Sequence, residues 1–353
     1  MFLDNGFSFE GSSFNNSGYS WIYIAIAADG STTTPTLANS FDAELFDPTT
    51  SSSALPVTGM GFKPDFVWAK YRDGAQSNYL VDSQRGLFSL MYSDRNDAAY
   101  TASSYVQSFD TDGITYVNNL FNRTGADACV AWGWKGGGRG AINTDGTNAC
   151  IVSANAAAGF SIVKLNKDNT NTETFGHGLG VVPELIILKR TASADDWYVY
   201  HKDLGNSTRI SLNSDAAKVT GTGVWGSTTP TSSVFTLQNQ SGGAHIAYCF
   251  ASITNYSSIG TYTASGSAGS PTITTGFEPG FVIIKNADRS QEWITIDSTR
   301  GLNKSLQPNS NSAESVNGNI ITTNATSFTI DVSGGGINYA SGETMIYIAI
   351  KQN

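Results

Sequence analysis

The chain has 353 residues, with 37 glycines, 11% aromatic and 14% charged residues, and a formal net charge of −9 at pH 7. Charge is sparse against the roughly 25% of an ordinary globular domain, and its 20 Lys and Arg are scattered, which excludes nucleic acid as the principal partner because neutralising phosphates needs clustered basic side chains. The first residues lack a basic n-region, and no segment approaches the roughly 20 apolar residues that span a bilayer, so neither secretion nor membrane insertion is expected.

Residues 1–28 come first. The stretch from Asn5 to Glu10, a Gly/Ser/Asn loop and the stretch from Trp21 to Ile26 read as a β-hairpin resembling the closing strands of later units. A lone hairpin is marginal in water. It is expected to pack on the first unit or to add to a sheet of a neighbouring subunit, covering an exposed edge.

Past a polar linker at residues 28–39, one phrase recurs three times: Gly-x-x-Pro, an apolar run and a closing Lys. It is spelled by Gly61, Pro64 and Lys70, by Gly180, Pro183 and Lys189, and by Gly276, Pro279 and Lys285. A second landmark follows each Lys: Asp82, His201 and Asp297, each succeeded by a glycine, Gly86, Gly205 and Gly301. Closing strands then run around Ala131, Ala247 and Ala349. Recurrence of this kind marks a copied structural unit. Cutting at the Gly/Ser/Thr/Asn linkers gives units at residues 40–135, 148–251 and 258–351, the second opening on Ile151-Val152-Ser153.

Proline fixes its own φ and pushes its predecessor into extended geometry, so it can start a strand without losing a ladder bond. The run behind it is apolar at successive positions, which suits a strand buried on both faces. With abundant turn formers and no long helical periodicity, the expected fold is all-β: three tandem β-sandwich, jelly-roll-like repeats of about 100 residues behind the amino-terminal hairpin.

Cys129, Cys150 and Cys249 cannot all pair, and two of them sit in equivalent closing strands. A soluble, disulfide-free protein made in a reducing cytoplasm is expected, with these thiols as small buried hydrophobes.

His177, His201 and His245 show no metal-ligand spacing, and no nucleophile elbow, Walker loop or Cys-x-x-Cys is present. The expectation is therefore no catalytic, cofactor-binding or metal residue, and no enzyme. Asp110-Thr111-Asp112-Gly113 reads as a tight turn rather than a calcium loop. The pairs Asp82/Arg85 and Asp297/Arg300 read as structural turn pairs, since catalysis would not be repeated in two units and dropped at His201 and Leu204 in the middle one. Trp225, Tyr71, Tyr92, Tyr100 and Tyr105 lie in polar, loop-like context. They are candidate surface-recognition residues, able to stack on sugar rings or anchor a protein interface, unless they plug the ends of the sandwich.

The spellings Gly61 to Lys70, Asp82 to Gly86, Phe109 to Ile114 and Val130 to Lys135 resemble a repeated β-sandwich domain of tail-associated virion proteins in marine bacteriophages. The first unit matches throughout, the third keeps its Gly-Phe-x-Pro and Asp-Ser-x-Arg-Gly parts, and the second keeps mainly Pro183, Lys189 and its closing strand. The resemblance implies a virion structural protein, a tail fibre or tail-attached adhesion protein that contacts host surface glycans, assembled in the host cytoplasm. Its expected partners are other virion proteins and further copies of itself, as a trimer. A capsid decoration or cement protein is the alternative; a glycan-degrading enzyme is more distant, because that chemistry needs paired carboxylates in a cleft.

Overall fold

The computed structural model describes residues 2–3, 6–7, 37–50, 54–101, 105–117, 120–121, 129–168, 172–221, 223–226 and 228–352. They fall into two compact units, residues 1–33 and 34–353. In the amino-terminal stretch Phe2–Leu3 pairs antiparallel with Gly6–Phe7, a pairing other than the expected one of Asn5–Glu10 with Trp21–Ile26. The stretch from Trp21 to Ile26 and the packing expected of it lie outside the described residues.

The larger unit is all-β among its described residues, with antiparallel sheets and short 3-10 turns. One strand order occurs three times. An opening strand (Phe41–Phe46, Phe160–Lys167, Ser257–Thr263) pairs with a closing strand (Cys129–Trp134, Gly243–Phe250, Thr344–Ile350), which pairs with the Gly-x-x-Pro strand (Phe66–Tyr71, Leu185–Arg190, Phe281–Asn286). The next neighbour is Tyr79–Asp82, Trp197–His201 or Ile294–Asp297. A smaller second sheet faces each of these, three-stranded in the first and third units and two-stranded in the second.

The opening of the second unit differs from the sequence expectation. Ile151-Val152-Ser153 lies in Cys150–Asn155, which with Ala141–Asn143 forms an extra hairpin on the edge of Phe160–Lys167. That later strand, paired to the closing strand, takes the position of Phe41–Phe46.

The repeated phrase explains its own local geometry. Gly61, Gly180 and Gly276 have φ of +71°, +72° and +86°, left-handed values that suit glycine. The residue after each proline then donates to the end of the closing strand: Asp65 N to Trp134 O at 2.8 Å, Glu184 N to Phe250 O at 2.7 Å and Gly280 N to Ile350 O at 3.0 Å. Each strand thus starts in register with its partner.

Successive apolar residues in these strands serve two different cores. Val67 and Ala69, Ile186 and Leu188, and Val282 and Ile284 face the sandwich core of their own unit. The alternate residues, Phe66 and Trp68, Leu185 and Ile187, and Phe281 and Ile283, meet in one cluster drawn from all three units. Closing strands alternate in the same way, with Trp132, Tyr248 and Ile348 turned to the shared cluster and Ala131, Ala247 and Ala349 turned away. The second face of each large sheet is therefore covered by the other two units. Stacked and edge-on rings fill one end of this shared core, among them Phe66–Tyr248 at 4.3 Å, Phe41–Phe281 at 4.9 Å and Trp134–Phe281 at 5.6 Å.

Candidate functional site

The recurring polar residues gather at the seams between units, and they do so cyclically. Ala99 N donates to Thr191 O, Lys218 N to Ala287 O and Glu314 N to Arg72 O, at 2.9, 2.8 and 2.7 Å. These bonds run from the first unit to the second, the second to the third and the third back to the first. A second set runs beside them. Trp197 Nε1 donates to Tyr92 O and Arg95 O, Trp293 Nε1 to Ser211 O, and Asn78 Nδ2 to Gln307 O and Ser310 O. The ring closes within one chain.

The repeated lysines stand under these seams. Lys70, Lys189 and Lys285 are buried and donate to backbone carbonyls at and beyond strand ends: Gln76 O; Asn96 O and Asp195 O; Asn286 O and Arg289 O. Burial lowers each ammonium to about 8. Their common role is to satisfy carbonyls that turn away from the sheet.

Asp82 and Asp297 each hold a turn and an arginine. Asp82 Oδ1 accepts from Gln84 N and Arg85 N, and its Oδ2 pairs with Arg85 Nε at 2.5 Å. Asp297 Oδ1 accepts from Arg300 N, and its Oδ2 pairs with Arg300 Nε at 2.6 Å. Each arginine returns a bond to its own strand, at Leu80 O and Thr295 O. The same carboxylates reach across a seam, where Tyr248 Oη donates to Asp82 Oδ2 at 2.8 Å and Trp132 Nε1 to Asp297 Oδ2 at 2.9 Å. Arg300 also lies over the Trp132 ring at 5.3 Å. Burial pushes the Tyr248 hydroxyl well above its ordinary range, so it acts as a neutral donor. Arg300 and Arg72 converge on Glu314; although burial opposes it, the Arg72 hydrogen bond and the Arg300 charge hold that carboxyl below its usual value.

The second unit replaces this set with His201 and Leu204. His201 Nδ1 accepts from Asp203 N at 3.3 Å, so the imidazole keeps the turn-holding part of the aspartate's role. The ring lies against the backbone of Tyr347 and Gly260, and burial lowers its pKa to about 4. Across this seam Ile348 stands where Trp132 and Tyr248 stand elsewhere. The loss of an acid on one side thus coincides with the loss of an aromatic donor on the other. His177 and His245 are also buried, which lowers both, and their rings engage Thr231 O and Gly243 O.

The remaining candidates divide. Trp225 is buried in the core of the second unit, 5.7 Å from Tyr200, and so is not a surface-recognition residue. The second sheet there has two strands instead of three. Trp225 fills the space of the missing strand, and Gln238 N donates to Val224 O at 2.8 Å in place of a ladder bond. Tyr71 is corrected likewise: it ends a strand on the face turned to the first sandwich core and packs 5.2 Å from Phe121. Tyr92, Tyr100 and Tyr105 do reach solvent. Tyr100 is 56% exposed, its ring lies 6.1 Å from that of Tyr105, and Tyr92 carries the Arg95 guanidinium 4.7 Å above its face.

Asp112 accepts from Gly59 N and Gly61 N, and Thr115 Oγ1 donates to Asp110, so both acids tie a turn to its neighbours. All three cysteines are buried, and none is in a disulfide among the described residues. Among the described residues no cluster of His, Cys, Asp and Glu has metal-binding geometry, and no helix is long and apolar enough to cross a membrane. The voids in the shared core measure about 10 and 20 Å³ and are lined mainly by apolar side chains. The sequence carried one readable signal that was missed, the joint change of His201, Leu204 and Ile348, because its halves lie in different units.

Residues 38–353 match a family described as Domain of unknown function (DUF7483), and the chain belongs to that family. No curated protein and no solved structure matches it.

Proposed function

We propose that this member of the DUF7483 family is a non-catalytic structural and adhesion protein of a bacteriophage virion, carried on a tail fibre or attached to the tail. The observation that carries the reading is the division of labour among its polar residues. Asp82, Arg85, Asp297, Arg300, Glu314 and the three buried lysines bond turns and seams inside the body, whereas on the first unit an exposed Tyr100 stands beside the partly buried Tyr92 and Tyr105. A body whose polar residues are spent internally and whose surface carries clustered tyrosines suits attachment better than turnover. The resemblance of the first unit to tail-associated β-sandwich domains supports the same reading.

Counting and locating the protein in intact particles tests it. The expected result is a small copy number with immunogold label at the tail. Hundreds of copies spread over the shell would instead make it a capsid decoration protein, and measurable sugar release by the purified chain would make it an enzyme.

A further inference from the structure

The cluster of an exposed Tyr100 with the partly buried Tyr92 and Tyr105 occurs at this place on one unit of three, although the surrounding fold recurs. Tyr92 occupies the position of Ser211 and Gln307, as their carbonyls show by accepting the same seam bond. Tyr100 pairs with Leu90 as Val219 pairs with Arg209 and Ser315 with Ser305. Counting along the same loops sets Arg95 against Ser214 and Ser310, and Asp97 against Ala216 and Ser312. Two units thus build these strands and seams with no aromatic ring and no guanidinium at those positions. Tyr92 and Tyr105 pack in part on the first unit's core, but the strand pairing does not require an exposed ring at Tyr100 or a guanidinium at Arg95, and such side chains beside partly open tyrosine rings point to a binding surface.

The chemistry of the group selects its occupant. Tyr100 and Tyr105 offer tilted ring faces 6.1 Å apart, and Tyr92 stands two residues along its strand from Leu90, the pairing partner of Tyr100. Arg95 lies 4.7 Å above Tyr92 and within 4.0 Å of Asp94 and 3.9 Å of Asp97. Aromatic faces receive the C–H face of a pyranose, while adjacent guanidinium N–H groups and carboxylate oxygens bond its hydroxyls. Two carboxylates already balance the one cation, and the chain carries −9 overall, so a sulfated or uronic sugar meets no excess positive charge. A stable protein partner needs roughly 800 Å² per side, far more than five side chains supply. The loop is also fixed in advance, because Ala99 N donates to Thr191 O and Asn96 O accepts from Asp195 N and Lys189 Nζ. Little ordering remains to oppose binding.

We propose that Tyr92, Arg95, Asp97, Tyr100 and Tyr105 form a binding site for a neutral hexopyranose glycan. The proposal rests on the adhesion reading above and gives it a location and a ligand class. Its test is an array of neutral and acidic hexose oligosaccharides probed with the full chain, followed by calorimetric titration of the strongest neutral ligand against Tyr100→Ala, Arg95→Ala and the control Val219→Ala. The expected result is binding to neutral oligosaccharides, weakened about tenfold by either of the first two substitutions and unchanged by the control, with an unaltered thermal midpoint in all three. Binding to acidic glycans alone, no binding to neutral ones, or neutral binding that survives both substitutions would overturn it. A competition assay separates this from the adhesion reading: if the purified chain blocks particle adsorption to host cells while Tyr100→Ala blocks it equally well, adhesion stands and the site falls.

Discussion

The two seams that involve the first unit and the seam between the second and third units solve one packing problem with different chemistry. In the former, a buried aspartate holds a turn, an arginine and an indole or phenol from the next unit. In the latter, a neutral histidine accepts from the turn, and an isoleucine holds the strand position of the aromatic donor. Buried ion pairs contribute little net stability but are costly to break, because the surviving charge stays buried. An apolar seam has no such sensitivity. The aspartate seams therefore hinge on a buried charge, while the seam between the second and third units is apolar around Ile348, keeps its ion pair Lys218–Asp288 at the rim, and retains a void of about 20 Å³.

The sharpest way to break this comparison is to remove one acid. Asp82→Ala leaves Arg85 and Tyr248 without their shared acceptor and is expected to cost about 3–5 kcal/mol in urea denaturation. His201→Ala, at the equivalent place, is expected to cost on the order of 1–2 kcal/mol. Equal losses would show that the two chemistries are not different in kind.

A pH series sharpens the contrast with a smaller effect. The folded-state pKa of His201 is lowered to about 4, whereas an unfolded histidine titrates near 6.5. Between pH 6.5 and 5 the unfolded chain binds a proton that the folded chain refuses, so stability falls on acidification. His201→Gln should reduce the loss over that interval by on the order of 2 kcal/mol, read from urea midpoints at each pH. An unchanged slope would mean that the ring is already protonated in the folded protein.

The smallest effect concerns the void beside Ile187, Val199, Leu212, Ile283 and Ile348. At about 24 cal/mol per Å³, filling it with Val199→Ile is expected to raise stability by about 0.5 kcal/mol. A loss of stability would show that the apolar seam is already at its packing limit.

Local physics made much of the fold readable. Pro64, Pro183 and Pro279 announced their strands, and unbroken apolar runs announced burial on both faces. What covered the second face was not readable, because periodicity reports that a face is buried and says nothing about the covering surface. The shared core depends on three segments far apart in sequence. Trp225 misled for a related reason: its glycine-rich neighbours read as a loop, and only the absence of a third strand in that sheet creates the space it fills. Tyr71 looked loop-like because it follows Lys70, yet strand alternation places it inward. Tyr100 and Tyr105 were readable as surface aromatics because no apolar periodicity surrounds them. That they stand together, and that the other units lack them, emerges once the strand registers are known.

The central claim is that one core shared by three sheets makes residues 34–353 a single cooperative body rather than three sandwiches on a string. Differential scanning calorimetry of the full chain tests it most directly. The account predicts one dominant transition with equal calorimetric and van't Hoff enthalpies; two or three resolved transitions, each with the enthalpy of about 100 residues, would contradict it.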